Sequence, residues 1–395
     1  MGQAERRIVG AGQDNPARPI AVICAELGAP YRSQGAQAAQ IDVMMNGSRK
    51  HQSVERCARR HPLLVADKDE FDADPWMLNT PSGILDLHDL TMQPHGALMR
   101  MQTLVTPNYA TYMNCEEECP RWMKYLHFAE CDKFGVPREW VIPFLQRWAG
   151  YSLVGAIFDV FFLFIHGVPQ AGKTAFLDVV KRLSHLYGKS TSKQFFMRGL
   201  DKRTFELYQF IKKRACFTDE TPCGATWDEL MLLTMLGNTT LSAEGKGKDF
   251  LDFESMATIT ITGNHKPKFV TSVEEAGIDR CMLMLTMERK VAENMPDDTM
   301  FARKLAEGPE GPAVLMWMAQ GAMKGWQCLQ ATGSFFGADM VEPLRKRPDA
   351  IGVPTTTCCN GSGTRCGSTP TNTLTLTSRS TPLWTTCASR IGSFR

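Results

Sequence analysis

Three short apolar runs divide the middle of the chain, and each stops abruptly on polar residues. Phe161-Phe162-Leu163-Phe164-Ile165 gives way to His166 and Gly167, and Ala215-Cys216-Phe217 ends on Thr218, Asp219 and Glu220. The third, Met256 to Ile261, alternates β-branched residues and ends on Thr262, Gly263 and Asn264. Runs of this length, bounded by turn formers, predict strands. Apolar residues at helical spacing surround them: Cys119 to Tyr125 and Arg138 to Tyr151 before the first run, Ala175 to Val180 directly after it, and Ala313 to Leu329 beyond the third. Strands alternating with helices predict an α/β chain with a parallel sheet flanked by helices.

Ahead of this region, Phe71 to Leu87 reads as two short strands about the turn Pro81-Ser82-Gly83, and Val54 to Arg60 as a short helix. Together they predict a small α+β lead-in domain. Residues up to Ser53 show no lasting period apart from Ile20 to Cys24, and past Ala350 the chain is dominated by Thr, Ser, Gly and Cys. Both ends are expected to be poorly ordered. The resulting division is 1–53 lead-in, 54–135 small α+β and helical region, 136–305 catalytic domain, 306–350 C-terminal helices and 351–395 disordered tail.

Composition narrows the picture only a little. The 395 residues are 43% hydrophobic and 22% charged, as in ordinary globular proteins, and the net charge of +2 excludes a general polycation. Contact with nucleic acid must therefore come from a local patch. No run is apolar enough to span a bilayer, and no signal-peptide core opens the chain, so a cytoplasmic location in the host cell is expected. Thirteen scattered cysteines, several of them in apolar strands (Cys216, Cys281), read as reduced thiols. Cys115, Cys119, His127 and Cys131 carry metal-ligand chemistry, but their spacing is that of no common zinc finger or ribbon. A helix starting at Cys119-Pro120 is the better reading.

The candidate chemistry sits at the ends of the three strands. Gly167-Val168-Pro169-Gln170-Ala171-Gly172-Lys173-Thr174 matches G-x-x-x-x-G-K-[ST] between a strand and a helix. Backbone N–H groups in such a loop, together with the positive end of the next helix, make a concave site for polyphosphate, although Pro169 has no N–H to offer. Lys173 is expected to reach the β- and γ-phosphates of ATP, and Thr174 to ligate Mg²⁺. Asp219 is the second Mg²⁺ candidate, Glu220 the general base for the attacking water, and Asn264 the residue that senses the γ-phosphate or holds that water.

These three elements, in that order and at those distances, resemble a superfamily 3 helicase, specifically the C-terminal module of phage, plasmid and large-virus primase-helicases. Phe71 to Leu87, Cys119-Pro120-Arg121-Trp122, Gln146 to Leu153 and Gly263-Asn264-His265-Lys266-Pro267 are similar to that family's lead-in, connecting helices and sensor motif. The resemblance implies a P-loop NTPase sheet of the AAA+ kind, assembled as a homo-hexamer that threads single-stranded DNA. It also implies that Ser242 to Phe250 is a DNA-contacting hairpin with Lys246 and Lys248 at its tip, where glycines permit a sharp turn and lysines meet phosphates without reading sequence. By the same resemblance, Arg280 looks like the finger that reaches a neighbouring subunit's γ-phosphate.

Departures qualify that picture. Cys281 stands where relatives often have a second arginine, Pro169 where Gly is common and Ala171 where Asn is frequent. The residues before 54 are too few for a primase or polymerase module, so a separate primase is the implied partner. Relatives continue past 350 with a helix rich in Asp, Tyr and Trp, whereas Thr355 to Gly361 can be encoded by codons whose neighbouring frame reads Asp-Tyr-Leu-Leu-Gln-Trp. The tail is read as a frameshift product. Two other readings stay open: a P-loop small-molecule kinase, and an inactive or DNA-binding-only prophage remnant.

Overall fold

The computed structural model describes residues 52–53, 56, 70–96, 99–106, 114–199, 204–220, 224, 226–237, 240–245, 250–269, 277–290 and 300–345. All of these lie in one compact unit, 1–353; the second unit, 354–395, contains no described residue. Ile20–Cys24, most of the helix expected over 54–60, and the tail therefore fall outside the described residues, as do Lys246 and Lys248.

The lead-in is a three-stranded antiparallel sheet of β1 (Met77–Thr80), β2 (Gly83–Asp86) and β3 (Met92–Gln93), with β1 and β2 joined at the expected turn. Two helices follow, α1 (Pro120–Ala129) and α2 (Val141–Tyr151). Next come β4 (Phe162–Gly167), α3 (Lys173–Ser184), β5 (Gly188–Ser190), α4 (Thr204–Tyr208) and β6 (Ala215–Thr218). After α5 (Glu229–Leu236) the chain forms a hairpin, β7 (Thr240–Glu244) and β8 (Phe250–Glu254), and then β9 (Thr258–Gly263). The short α6 (Ile278–Cys281), β10 (Met282–Met287), α7 (Phe301–Ala306), the long α8 (Gly311–Thr332) and α9 (Ala338–Val341) complete it.

Five strands form a parallel sheet in the order β10-β4-β9-β6-β5. β4 is thus flanked by β9 and β10, which come much later in sequence, while β5 lies at the far edge. The successive crossovers leave β4 toward one side and return to the other, so β4 stands at the switch point where the carboxyl ends of neighbouring strands open a crevice.

Alternation along β4 explains the layering. Leu163 and Ile165 join a core with Trp122 of α1, Trp148 of α2, Phe176 of α3 and Trp317 of α8, whereas Phe162 and Phe164 join a second core with Phe195, Trp227, Leu232 and Ile261. Helices α2 and α8 cross where a Cβ on Gly150 or on Gly321 would collide with the other helix's backbone. Glycine inside a helix costs about 1 kcal/mol relative to Ala, and here it permits the close crossing.

β9 carries threonines on one face and isoleucines on the other, and all of these side chains are buried. Its hydroxyls are met inside the protein: Trp148 Nε1 donates to Thr260 Oγ1 at 2.9 Å, and Thr258 Oγ1 lies 3.4 Å from Ser152 Oγ. Arg214, just before β6, is buried and is held by main-chain carbonyls. It donates to those of Leu153 at 2.7 Å and Met77 at 2.8 Å, and its guanidinium lies over the Tyr187 ring, which fastens the lead-in sheet to the parallel sheet. Cys281 corrects one expectation: it closes α6 rather than lying in a strand, because Gly277 starts a helical turn before β10.

Candidate functional site

The loop after β4 turns through two left-handed residues, Gln170 (φ 62) and Gly172 (φ 86), before α3 begins at Lys173. Gly167 is dictated by packing, since a Cβ there would run into the Met287 carbonyl of β10. Tyr125 of α1 braces the far end of the loop by donating its hydroxyl to the Gly172 carbonyl at 3.0 Å. The loop and the first turn of α3 line a cleft of about 250 Å³, bounded by Pro169, Gln170, Lys173, Thr174, Glu220, Thr262, Gly263 and Asn264.

Lys173 is buried, and its ammonium is folded onto the loop itself, donating to the carbonyls of Gly167 at 2.9 Å and Val168 at 2.6 Å. Burial pulls its pKa below the usual lysine value, against the opposing pull of Glu220 and Asp219.

Asp219 and Glu220 extend from the end of β6, which β9 separates from β4. Thr174 Oγ1 lies 3.4 Å from Asp219 Oδ1, close to the ~3.0 Å that separates two adjacent octahedral ligands at Mg²⁺ distances. This hydroxyl and carboxylate pair fits a magnesium site. Thr262, the last threonine of β9, fixes the carboxylate: it donates Oγ1 to Asp219 Oδ1 at 2.9 Å and accepts from the Glu220 backbone N–H at 3.3 Å. Glu220 has a positive φ of 45, a strained conformation for a residue with a side chain, and its exposed carboxylate is paired with Lys193 at 2.9 Å. That contact raises the lysine's pKa.

The structure therefore brings Lys173, Thr174, Asp219, Glu220 and Asn264 to one end of the sheet. Arg280 is not among them. It is exposed at the start of β10, whose Met282 pairs with Phe162, whereas the loop leaves β4 five residues further on, about 17 Å along the strand. It cannot serve the loop of its own chain. The hairpin strands β7 and β8 flank the span containing Lys246 and Lys248.

Sequence reasoning missed Thr262, Lys193 and Tyr125. Thr262 carried a signal, being two residues before Asn264 in a strictly alternating strand; the other two reach the site from distant segments and carried none. Nor do the cysteines and His127 converge: Cys115 donates to Gln320 Oε1, Cys119 to the Cys115 carbonyl and Cys131 to the His127 carbonyl, while His127 pairs with Glu130. Burial pushes the Cys115 thiol up to about 11 and Cys119 up to about 12, which keeps both protonated. Among the described residues no group of three or more His, Cys, Asp or Glu is arranged to hold a metal ion, and no helix is long and apolar enough to cross a membrane.

No curated protein matches the chain. Among the solved structures that overlap it are the A-form apo structure of the NrS-1 C terminal region (13% identity, 62% of this chain and 53% of that one, TM-score 0.42), the A-form apo structure of NrS-1 residues 305–718 (13%, 54% and 48%, 0.39) and the apo structure of that region (12%, 70% and 60%, 0.42). The chain thus covers about half of the length of the solved chains it matches. Two family models match in sequence, one described as D5 N terminal like over residues 36–130 and one as a family of unknown function (DUF5906) over residues 165–280. The chain is similar to the first of these families across its lead-in and to the second across the whole of the cleft.

Proposed function

We infer that the chain is the P-loop ATPase motor of a superfamily 3-type DNA helicase, coupling ATP hydrolysis to movement along single-stranded DNA. The observation that carries this reading is the cleft at the switch point of the parallel sheet, where a phosphate-type loop, a Thr174–Asp219 oxygen pair and an exposed glutamate meet. The D5 N terminal-like match ahead of it supports the same reading.

In this mechanism the loop amides and Lys173 hold the β- and γ-phosphates, the lysine leaving the Gly167 and Val168 carbonyls as it does so. Thr174 and Asp219 would hold Mg²⁺, which would supply positive charge against the phosphate oxygens. Thr262 keeps Asp219 aimed at that position. Glu220 accepts the proton of the attacking water once it has left Lys193, and Asn264 at the end of β9 orients that water. Arg280 completes the cation set from a neighbouring copy in a hexameric ring, and the tip between β7 and β8 grips DNA through Lys246 and Lys248. The domain division given above, including the frameshifted tail, belongs to the same proposal.

The test is ATP hydrolysis by the purified protein with and without single-stranded DNA, alongside Lys173→Ala. DNA-stimulated hydrolysis that the substitution abolishes is expected. Hydrolysis unaffected by DNA, with phosphate passed to a small molecule, would favour a kinase; no nucleotide binding would leave an inactive remnant.

A further inference from the structure

The residues facing the cleft account for only one end of a nucleotide. Glu220, Thr262, Gly263 and Asn264 line it from β6 and β9, which lie on one side of β4. A base that activates water must face the terminal phosphate, so the free end of a polyphosphate points toward those two strands. The nucleoside end then leaves the loop on its other flank, where β10 and α1 lie. Two contacts fix that flank to the loop. Met287, the last residue of β10, pairs with Gly167, and its carbonyl occupies the space that a Cβ on Gly167 would need. The Tyr125 hydroxyl of α1 reaches the loop's other end at Gly172.

Each contact is followed at once by a side chain of interest. Arg289 comes two residues after Met287, which keeps its Cα within about 8 Å of that residue. Phe128 comes three residues after Tyr125, on the neighbouring position of the same helix face. The two side chains meet, the Arg289 guanidinium lying over the Phe128 ring at 5.0 Å from its centroid. A tight turn walls the place: the Lys133 N–H donates to Glu288 Oε2 at 3.3 Å, and Asp132 Oδ1 accepts from the N–H groups of Phe134 and Val136 at 2.8 and 2.9 Å. Fastened as it is, this turn leaves Phe134 79% exposed. Arg289 is itself exposed, and among the described residues no carboxylate is paired with it. A guanidinium backed on one face by an aromatic ring presents a flat, weakly hydrated cation on which a planar heterocycle can stack.

We propose that Arg289, backed by Phe128, is the nucleobase subsite of the cleft and stacks on the purine of the nucleotide held by its own subunit's phosphate loop. The inference rests on the nucleotide-site reading given above. It separates the two arginines by place: Arg280 stands at the start of β10, remote from the loop, whereas Arg289 follows the end of the same strand, beside it. The purine gains cation–π attraction and covers apolar surface next to Phe134 and Val136, both of which are exposed. The phosphates, held at the loop and at Lys173, do not depend on it.

The experiment compares two Mg²⁺-loaded probes, a non-hydrolysable ATP analogue and inorganic tripolyphosphate, which carries the phosphates without a nucleoside. Calorimetry gives the affinity of the analogue for wild type, Arg289→Ala and Arg289→Lys, and displacement of the analogue gives that of tripolyphosphate. Arg289→Ala is expected to weaken the analogue by about three- to thirtyfold, as for a lost cation–π contact, and to leave tripolyphosphate unchanged. Arg289→Lys keeps the charge without the plane and should lose most of the same factor. Equal weakening of both probes would make Arg289 a phosphate contact and overturn the proposal; so would unchanged affinity for the analogue in Arg289→Ala. Either result leaves the phosphate site standing, whereas wild type that binds neither probe overturns the nucleotide reading as well. A lowered melting temperature with no difference between the probes would mark a purely structural arginine and overturn the proposal too.

Discussion

Replacing Thr262 by Val removes one hydroxyl and keeps the shape of a fully buried side chain, so the change isolates a polar role from packing. Two hydrogen bonds disappear: the one at 2.9 Å to the Asp219 carboxylate and the one at 3.3 Å from the Glu220 N–H. A hydrogen bond to a charged group contributes about 1.5–3 kcal/mol, and the longer one adds about 0.5 kcal/mol or less. Asp219 is only half-buried, which lets water replace part of the loss, so the lower end, about 1.5 kcal/mol, is the expected fall in stability. On the proposed role of Asp219 at Mg²⁺, turnover should suffer more, because a carboxylate freed from Thr262 no longer shares its fixed position with Thr174 Oγ1. A loss of about 2–3 kcal/mol corresponds to roughly a 30- to 150-fold fall in kcat. Urea unfolding and steady-state ATP hydrolysis measure the two effects, and Thr262→Ser, which restores the hydroxyl, should recover most of both. Wild-type turnover in the Val variant would show that Asp219 is placed without Thr262 and refute the reasoning.

Three further outcomes are expected. Glu220→Gln should bind ATP and Mg²⁺ with near-native affinity and lose hydrolysis by at least about 100-fold, as for removal of a general base; turnover at the parent rate would assign the base elsewhere. Arg280→Ala should bind ATP without hydrolysing it, and mixing it with Lys173→Ala protein should restore part of the activity at mixed interfaces, whereas failure at every mixing ratio would count against a residue supplied by a neighbour. Replacing Lys246 and Lys248 by Ala should weaken single-stranded DNA binding for every sequence and lower the slope of log K against log salt by about 0.7 for each phosphate no longer neutralised, with basal hydrolysis retained; an unchanged slope would move the DNA site away from the hairpin.

Local chemistry carried much of this protein into its sequence. Gly167 to Thr174 predicts a tight loop between a strand and a helix, because its glycines, lysine and hydroxyl sit at fixed offsets, and the helix α3 does begin at Lys173. The strands ending at Thr218 and Gly263, the lead-in hairpin and helices α1, α2 and α8 were legible for the same reason, since periodicity within ten or twenty residues decides which face is buried. The order of the sheet was not. Nothing local says that β9 must lie between β4 and β6, yet that insertion alone carries Thr262 to Asp219 and sets Gly263 beside His166. The alternation of Thr and Ile in β9 reads locally as a strand with one polar face toward water; the fold buries both faces and supplies Ser152, Trp148 and Asp219 as partners for the hydroxyls. Lys193 meets Glu220 across 27 residues and Tyr125 meets Gly172 across 47, separations over which chain pattern carries no constraint. The sequence thus determined which groups could do chemistry, because reactivity belongs to residue types at short spacing. Only the tertiary structure decided which of them meet, because contact between distant segments depends on how whole layers pack, and that packing put Arg280 at the opposite end of the strand pair from the loop.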